Sequence, residues 1–428
     1  MDKREFLKSS SVLGLGSLLS FSALEKLIQS VEHKSSEELA SDEEFWMQIR
    51  KGYKLKPDYI NLENGYYCIQ PEEILEAYIK HVRDVNLQGA YYMRTVQYDN
   101  KKTINNKLAE LAGCTSEELI ITRNTTESLD MIIGGLNWQA GDEAVMAEQD
   151  YGAMLDMFTQ VAKRYGVVNK TISLPMNPKS DEEIIDLYEK AITPKTKFLV
   201  YSSPSNPTGS VYTKEEIESF VKVLEKYPNV HVISDEIYEH INYAGKHVSI
   251  AEFPSMKDRT IVVNGQAKGY AMTGWRIGYI AAPAYIAKAC DKLQGQITSG
   301  TNSVAQHATI TALLGDQAPT EAFRVAFQKR RDLVLGMLKE IPNVKCNIPD
   351  GAFYVFPDLS YYFGKDFNGE PIKDADDLAL YLLHEGHVAA VSGTGFGAPE
   401  CIRFSYAASE ENLIEAFKRV KNALAKLV

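Results

Sequence analysis

Between Leu119 and Ala282 the chain alternates short apolar runs with stretches whose apolar residues recur at helical spacing. The runs Leu119–Thr122, Glu143–Ala147, Val167–Leu174, Phe198–Tyr201, Val230–Ser234, Thr260–Val263 and Ile277–Ala281 are short and largely β-branched, so they predict buried strands. Leu129–Leu136, Leu155–Tyr165 and Glu215–Tyr227 predict helices between them. The last is preceded by Thr213-Lys214-Glu215-Glu216, where the first hydroxyl and the last carboxylate can each satisfy a backbone N–H of the first turn. Continuous apolar strands separated by helices predict an α/β domain built on a mostly parallel sheet.

The pattern changes on both sides of this region. After residue 300 come longer helical patterns, Val304–Leu314 and Glu321–Ile341, then short strands near Gly351–Phe356 and Val388–Val391 and a last helix from Ser409 to Leu427. That predicts a smaller α+β domain closing over the first. Ahead of the α/β region, Glu37–Arg50 is polar with one apolar stripe of Phe45, Trp46 and Ile49, and predicts an arm packed on the body. A short strand and turn follow at Tyr59–Gly65, then a helix over Pro71–Val82 with proline in its first turn. Lys3-Arg4-Glu5-Phe6-Leu7-Lys8 precedes a weakly apolar run, Val12–Ala23, too short to span a bilayer as a mature helix. This resembles a twin-arginine export leader with lysine in place of the first arginine; an amphipathic N-terminal arm is the other reading. The expected division is a leader over 1–23, an arm and part of the small domain over 24–75, a large domain over 76–315 and a small domain over 316–428. Location outside the cytoplasm, in the periplasm or beyond, is the expectation from the leader, and the cytoplasm is the alternative.

Composition narrows the function classes. A net charge of −11 and the lack of a basic stripe give no footprint for nucleic acid. No apolar run is long enough for a stable membrane anchor. Five scattered cysteines without CxxC spacing read as structural thiols. His384 and His387 read as surface or strand-edge histidines, and no metal site is suggested.

Candidate chemistry gathers at predicted strand ends, where such sheets bind ligands. Arg123-Asn124-Thr125-Thr126-Glu127 leads from a strand into a helix and offers backbone N–H groups and two hydroxyls to an anion, although simple capping would use the same residues. Ser202-Ser203-Pro204-Ser205-Asn206-Pro207-Thr208-Gly209 is a turn that fixes the Asn206 side chain. Asp235 ends a buried strand, where a carboxylate is costly without a cation or a capping role, and Tyr238 lies one helical turn on. Lys268 stands in a glycine-punctuated turn with Arg276 beyond it. A lone loop lysine is ordinarily a solvated cation. Here an amine, a carboxylate, phenol and amide donors and an anion cup with an arginine accumulate in one rim, which is what pyridoxal 5'-phosphate requires of a protein.

Asn206-Pro207-Thr208-Gly209, Ser234-Asp235-Glu236-Ile237-Tyr238 and Ala267-Lys268-Gly269-Tyr270-Ala271-Met272-Thr273-Gly274-Trp275-Arg276-Ile277-Gly278 resemble the signature blocks of the class I pyridoxal-phosphate aminotransferases, the aspartate aminotransferase-like family. Pro349-Asp350-Gly351-Ala352-Phe353-Tyr354 and Ile402-Arg403-Phe404-Ser405 resemble its C-terminal blocks. In the N-terminal third, Phe45-Trp46 with Arg50, Asn61–Gly65 and Arg123–Glu127 are closer to the class V branch, which includes isopenicillin-N-epimerase-like enzymes. Both share the fold type I architecture, a large domain with a mostly parallel seven-stranded sheet flanked by helices. The resemblance implies that Lys268 holds the cofactor as a Schiff base and serves as general acid/base, and that Asp235 keeps the pyridine nitrogen protonated. It implies that Asn206 and Tyr238 bond the 3-oxygen, that Arg276 with Thr125 and Thr126 binds the phosphate, and that Arg403 grips the substrate α-carboxylate. Tyr151 is the candidate ring-stacking aromatic, and Gly65 a candidate on the carboxylate side. Ala267 stands where many members have serine. The implied reaction moves an amino group between an amino acid and a 2-oxo acid in a homodimer, with an epimerase or a β/γ-lyase as the alternative and a non-catalytic protein on this fold as a more remote one. A partner-subunit tyrosine would come from among Tyr91, Tyr92 and Tyr98.

Overall fold

The computed structural model describes residues 27, 30–31, 33–51, 53, 60–62, 72–175, 180–314 and 317–428. The leader, Gly65 and the turn around it lie outside the described residues.

Seven strands form the central sheet: β1 (Leu119–Thr122), β2 (Glu143–Ala147), β3 (Val168–Ile172), β4 (Thr196–Ser202), β5 (His231–Asp235), β6 (Thr260–Gly265) and β7 (Gly278–Ala281). Their order is β1-β7-β6-β5-β4-β2-β3. Strand β7 runs antiparallel to both its neighbours, while the pairs from β6 to β3 are parallel. The carboxyl ends of all the strands but β7 therefore open onto one edge.

All seven predicted strands form, with ends shifted by a few residues. Strand β3 is the shortest against its expected span because it is an edge strand with one neighbour, and its first residue Val168 is 47% exposed. Period-two alternation sends Ile120, Met146, Val200, Ile233, Val263 and Ile280 to one face, under the helices Thr125–Gly135 and Gly152–Tyr165. Val145, Leu199, Tyr201 and Val232 face the helix Lys214–Glu225 on the other side. That helix is closed by the predicted capping box, with the Glu216 N–H donating to Thr213 Oγ1 and the Thr213 N–H to the Glu216 carboxylate. Both faces being covered explains why the strands read as unbroken apolar runs.

The helix Glu72–Gln88 outruns its predicted end at Val82 because its last turns are mostly polar and exposed, Leu87 included, which periodicity does not register. The arm helices Ser36–Ala40 and Glu43–Lys51 lie against the helix Ala318–Lys339, where the Trp46 and Phe323 rings meet at 5.2 Å. Toward the C-terminus, Val391–Ser392, Ile402–Ser405 and Tyr354–Val355 pair in that order as an antiparallel sheet. The helix Glu410–Leu424 buries Leu413, Phe417 and Val420 behind it. This C-terminal core is continuous with Ile237, Tyr238 and Ile241 from the loop after β5, so it is packed directly against the rim of the large sheet. Among the described residues no helix is long and apolar enough to cross a membrane.

Candidate active site

A cavity of about 150 Å³ opens at the carboxyl edge of the sheet. Thr125, Thr126, Tyr151, Asn206, Asp235, Tyr238, Lys268, Arg276 and Arg403 all line it. These nine residues are thus brought to one place, from strand ends as far apart in the chain as β1 and Ile402–Ser405, while Tyr91, Tyr92 and Tyr98 do not line the cavity. Asn124, Ser202, Pro204, Ile237, Ala267, Thr273, Ile277 and Tyr354 complete the wall.

The turn that carries Lys268 is closed on itself. The Gln266 N–H donates to the Ile277 carbonyl at 3.1 Å and the Ala271 N–H to the Lys268 carbonyl at 3.1 Å. Glycine is required beneath it: a Cβ on Gly265 would lie 2.8 Å from Gly278 Cα and the Ile277 carbonyl, and one on Gly278 would lie 2.8 Å from the Asn124 backbone. These close approaches seat the lysine turn, the approach to β7 and the start of the helix Thr125–Gly135 against one another. Lys268 Nζ lies 5.9 Å from the centre of the Tyr238 ring.

Asp235 ends β5 in the floor of the cavity. Burial pushes its carboxyl up to about 6, with the Glu236 charge adding to the rise and the Ile237 N–H (3.2 Å to Oδ1) and Lys268 opposing it. A carboxylate in this position is stabilised by a cation set against it, such as a protonated ring nitrogen. Behind it Asp150 is buried, its Oδ2 accepting the Ala147 N–H at 2.9 Å. Burial pushes Asp150 up to about 7, and the Asp235 charge adds to the effect.

At the opposite end of the floor the helix Thr125–Gly135 starts with Asn124 as its cap, whose side chain accepts the Glu127 N–H at 2.7 Å. Asn124 does act as an N-cap, and this leaves Thr125 and Thr126 facing the cavity. Tyr151 OH lies 3.2 Å from Thr126 Oγ1. Arg276 holds a left-handed backbone (φ 62°), uncommon for a side chain of this size, and its Nη1 donates to the Thr273 carbonyl at 2.7 Å. Burial lowers the Arg276 pKa, and the neighbouring Arg123 charge lowers it further. Arg276 and the N-terminus of the helix Thr125–Gly135 meet at this end of the cavity, a pairing suited to an anion such as a phosphate.

On the far wall Arg403 is 1% exposed. Its guanidinium lies 4.3 Å from the Tyr354 ring centre and 4.9 Å from that of Phe396, and Nη1 donates to Asn206 Oδ1 at 2.6 Å. Asn206 follows the cis bond Ser203–Pro204 and precedes the cis bond Asn206–Pro207. Tyr238 OH is 3.0 Å from Tyr354 OH, and burial raises the Tyr238 pKa well above the ordinary phenol range, so Tyr238 is a neutral donor. Tyr354 and Phe396 carried no assigned role in the sequence. Tyr354 was in view within a recognised block, but only the pairing of Tyr354 with Ser405 reveals that it lies over Arg403.

A carboxylate in the floor, a lysine amine beside it, phenol and amide donors on one flank and a dianion cup at the end form a donor set that fits pyridoxal 5'-phosphate. A model of the family described as aminotransferase class I and II matches residues 57–420. The chain is 37% identical over 366 residues to a bifunctional aspartate aminotransferase and glutamate/aspartate-prephenate aminotransferase of Petunia hybrida, covering 83% of this chain and 74% of that one. A probable aspartate/prephenate aminotransferase of Rickettsia felis is 37% identical over 373 residues, covering 83% of this chain and 87% of the relative. Among solved structures, the aspartate aminotransferase from Rhizobium meliloti superposes with a TM-score of 0.71 at 31% identity, over 90% of this chain and 94% of that one. The Thermus thermophilus aspartate aminotransferase with maleate superposes with a TM-score of 0.70 at 30% identity, over 91% and 97% of the two chains.

Proposed function

The chain belongs to the class I and II aminotransferases and is a pyridoxal-phosphate-dependent enzyme; on that premise we propose how its residues divide the work and which amino donor it takes. The observation that carries the reading is the placement of Lys268 and Asp235 in one cavity whose far wall is the buried Arg403. When bound, the cofactor supplies a carbonyl that condenses with amines and a ring that withdraws electrons from the adjoining carbon. Lys268 carries it through its amine and moves the proton at the substrate α-carbon. Asp235 holds the pyridine nitrogen in its protonated form. Asn206 and Tyr238 donate to the 3-oxygen, Tyr151 covers the ring, and Arg276 with Thr125 and Thr126 holds the phosphate. Arg403 orients the α-carboxylate through two of its guanidinium nitrogens.

The amino donor is an acidic amino acid of the aspartate type, and the acceptor is a 2-oxo acid. The relatives' names support this: Petunia hybrida and Rickettsia felis proteins alike carry aspartate and prephenate in theirs. The test is an amino-acid panel with 2-oxo acid acceptors, prephenate included. Release of oxaloacetate from aspartate with matching formation of the acceptor's amino acid is the expected result. D-isomer formation without any oxo acid would reject transamination in favour of epimerisation, the outcome for which the class V flavour of the N-terminal third is the motive.

Two further expectations belong to this reading. The enzyme is a homodimer, supported by Leu87, Tyr91 and Tyr98, which stand 85%, 68% and 63% exposed on consecutive helices. Light scattering giving a monomer at micromolar concentration would exclude it. Residues 1–23 are an export leader, and fractionation finding the full-length chain only in the cytosol would exclude that.

A further inference from the structure

Tyr354 touches two residues of the site in two different ways. Its hydroxyl is 3.0 Å from Tyr238 OH, and its ring face lies 4.3 Å from the Arg403 guanidinium carbon. It is 1% exposed, and its strand is paired in register with the strand that carries Arg403. The two phenols come from different parts of the fold, Tyr238 from the loop after β5 and Tyr354 from the C-terminal sheet. The charged or titratable neighbours acting on Tyr238 are Tyr354, Arg403 and Asp235, with Lys268 Nζ near its ring.

A phenol has one proton to give. If Tyr238 gave it to Tyr354, nothing would be left for an acceptor in the cavity. If Tyr354 gives its own, Tyr238 is turned to donate inward and is made a stronger donor, because hydrogen bonds in a chain polarise one another. The aromatic face meanwhile holds the guanidinium plane where it can meet a carboxylate with both nitrogens. We propose that Tyr354 is a positioning residue with two separable roles: its hydroxyl directs the Tyr238 proton into the cavity, and its ring sets the orientation of Arg403. This rests on the cofactor assignment above, and it links the C-terminal sheet to both the cofactor side and the carboxylate side of the site.

The test uses the cofactor-loaded full chain and the variants Tyr354→Phe and Tyr354→Met. The first readout is the pH titration of the absorption band of the lysine-bound cofactor. Donation by Tyr238 to the 3-oxygen favours the deprotonated form, so Tyr354→Phe raises the midpoint by about half to one pH unit, the size of one ordinary hydrogen bond. An unchanged or lowered midpoint overturns the hydroxyl role, since a lowered one means that Tyr238 had been donating to Tyr354. The second readout is binding of maleate, followed through the same band. Tyr354→Phe keeps the ring and binds within about twofold of wild type, while Tyr354→Met weakens binding about 3- to 10-fold, the range of a buried cation–ring contact. Equal binding by the two variants overturns the ring role. A wild-type protein with no titrating band overturns the cofactor assignment itself, whereas a normal wild-type band unchanged in both variants overturns this inference alone.

Discussion

The two walls of the cavity are built on different terms. The cofactor wall is made from strand ends of one sheet: Asp235 at the end of β5, Lys268 in the turn after β6, Arg276 just ahead of β7, and Thr125 at the helix that follows β1. Its members need only the sheet order and a few glycines that let backbones touch. The carboxylate wall is composite. Arg403 sits on a C-terminal strand, is faced by Tyr354 and Phe396, and is tied to the large sheet through Asn206. The first wall is fixed by topology and the second by packing between two cores, so damage to the first should abolish chemistry while damage to the second should grade it.

The largest effect expected is on the cofactor wall. Lys268→Ala should lower the transamination rate by about 10²- to 10⁴-fold or more, since on the proposed division of roles it removes the proton carrier together with the covalent anchor. Single-turnover measurements with aspartate check this, and a variant retaining a tenth of wild-type rate would erase the distinction between the walls.

On the carboxylate wall, Arg403→Lys should keep the charge and lose the planar fork. The expected outcome is a KM for the amino acid raised about 10- to 100-fold, the cost of a charge-assisted hydrogen bond. Steady-state kinetics check it, and an unchanged KM would mean that the α-carboxylate is bound elsewhere.

Asp150 offers a test beneath the cofactor wall. Its carboxyl is pushed up to about 7, mainly by burial. Between about pH 4 and pH 7 the folded cofactor-free protein keeps this proton while the unfolded chain has lost it, so stability falls as pH rises through that window. Asp150→Asn keeps an acceptor for the Ala147 N–H and removes the ionisation. Denaturant melts should show it matching wild type near pH 4 and exceeding it by roughly 1–4 kcal/mol at pH 8. A variant less stable than wild type at pH 8 would show that the carboxylate is compensated by groups other than those facing it.

The smallest effect is expected far from either wall. The Lys421–Glu340 ion pair, 2.9 Å long, joins two exposed side chains of the C-terminal helices. Lys421→Ala should change stability by less than about 1 kcal/mol and leave KM untouched. A larger change in KM would mean that the C-terminal helices control the carboxylate wall at a distance.

The same contrast governs what could be read from the chain. The seven strands and the residues that line the cavity were legible because buried parallel strands write unbroken apolar runs and because the side chains at their carboxyl ends follow those runs directly. Thr213 and Glu216 showed the start of a helix by local chemistry alone. Tyr354 was not legible as part of the site, because its relation to Arg403 depends on a strand pairing that brings residue 354 beside residue 405. Asp150 was missed for a related reason: its burial comes from the loop after β2 folding back on the Ala147 N–H, which no periodicity signals. The polar end of the helix Glu72–Gln88 escaped detection because it is held by backbone hydrogen bonds and not by an apolar stripe.

The central claim is that Lys268 is the residue that carries the cofactor. Mixing the full chain with pyridoxal 5'-phosphate, reducing with borohydride and mapping the modified peptide by mass spectrometry tests it most directly. A single reduced adduct on Lys268, absent from Lys268→Ala, is the predicted result. An adduct on another lysine, or an equal yield of adduct in Lys268→Ala, would contradict it.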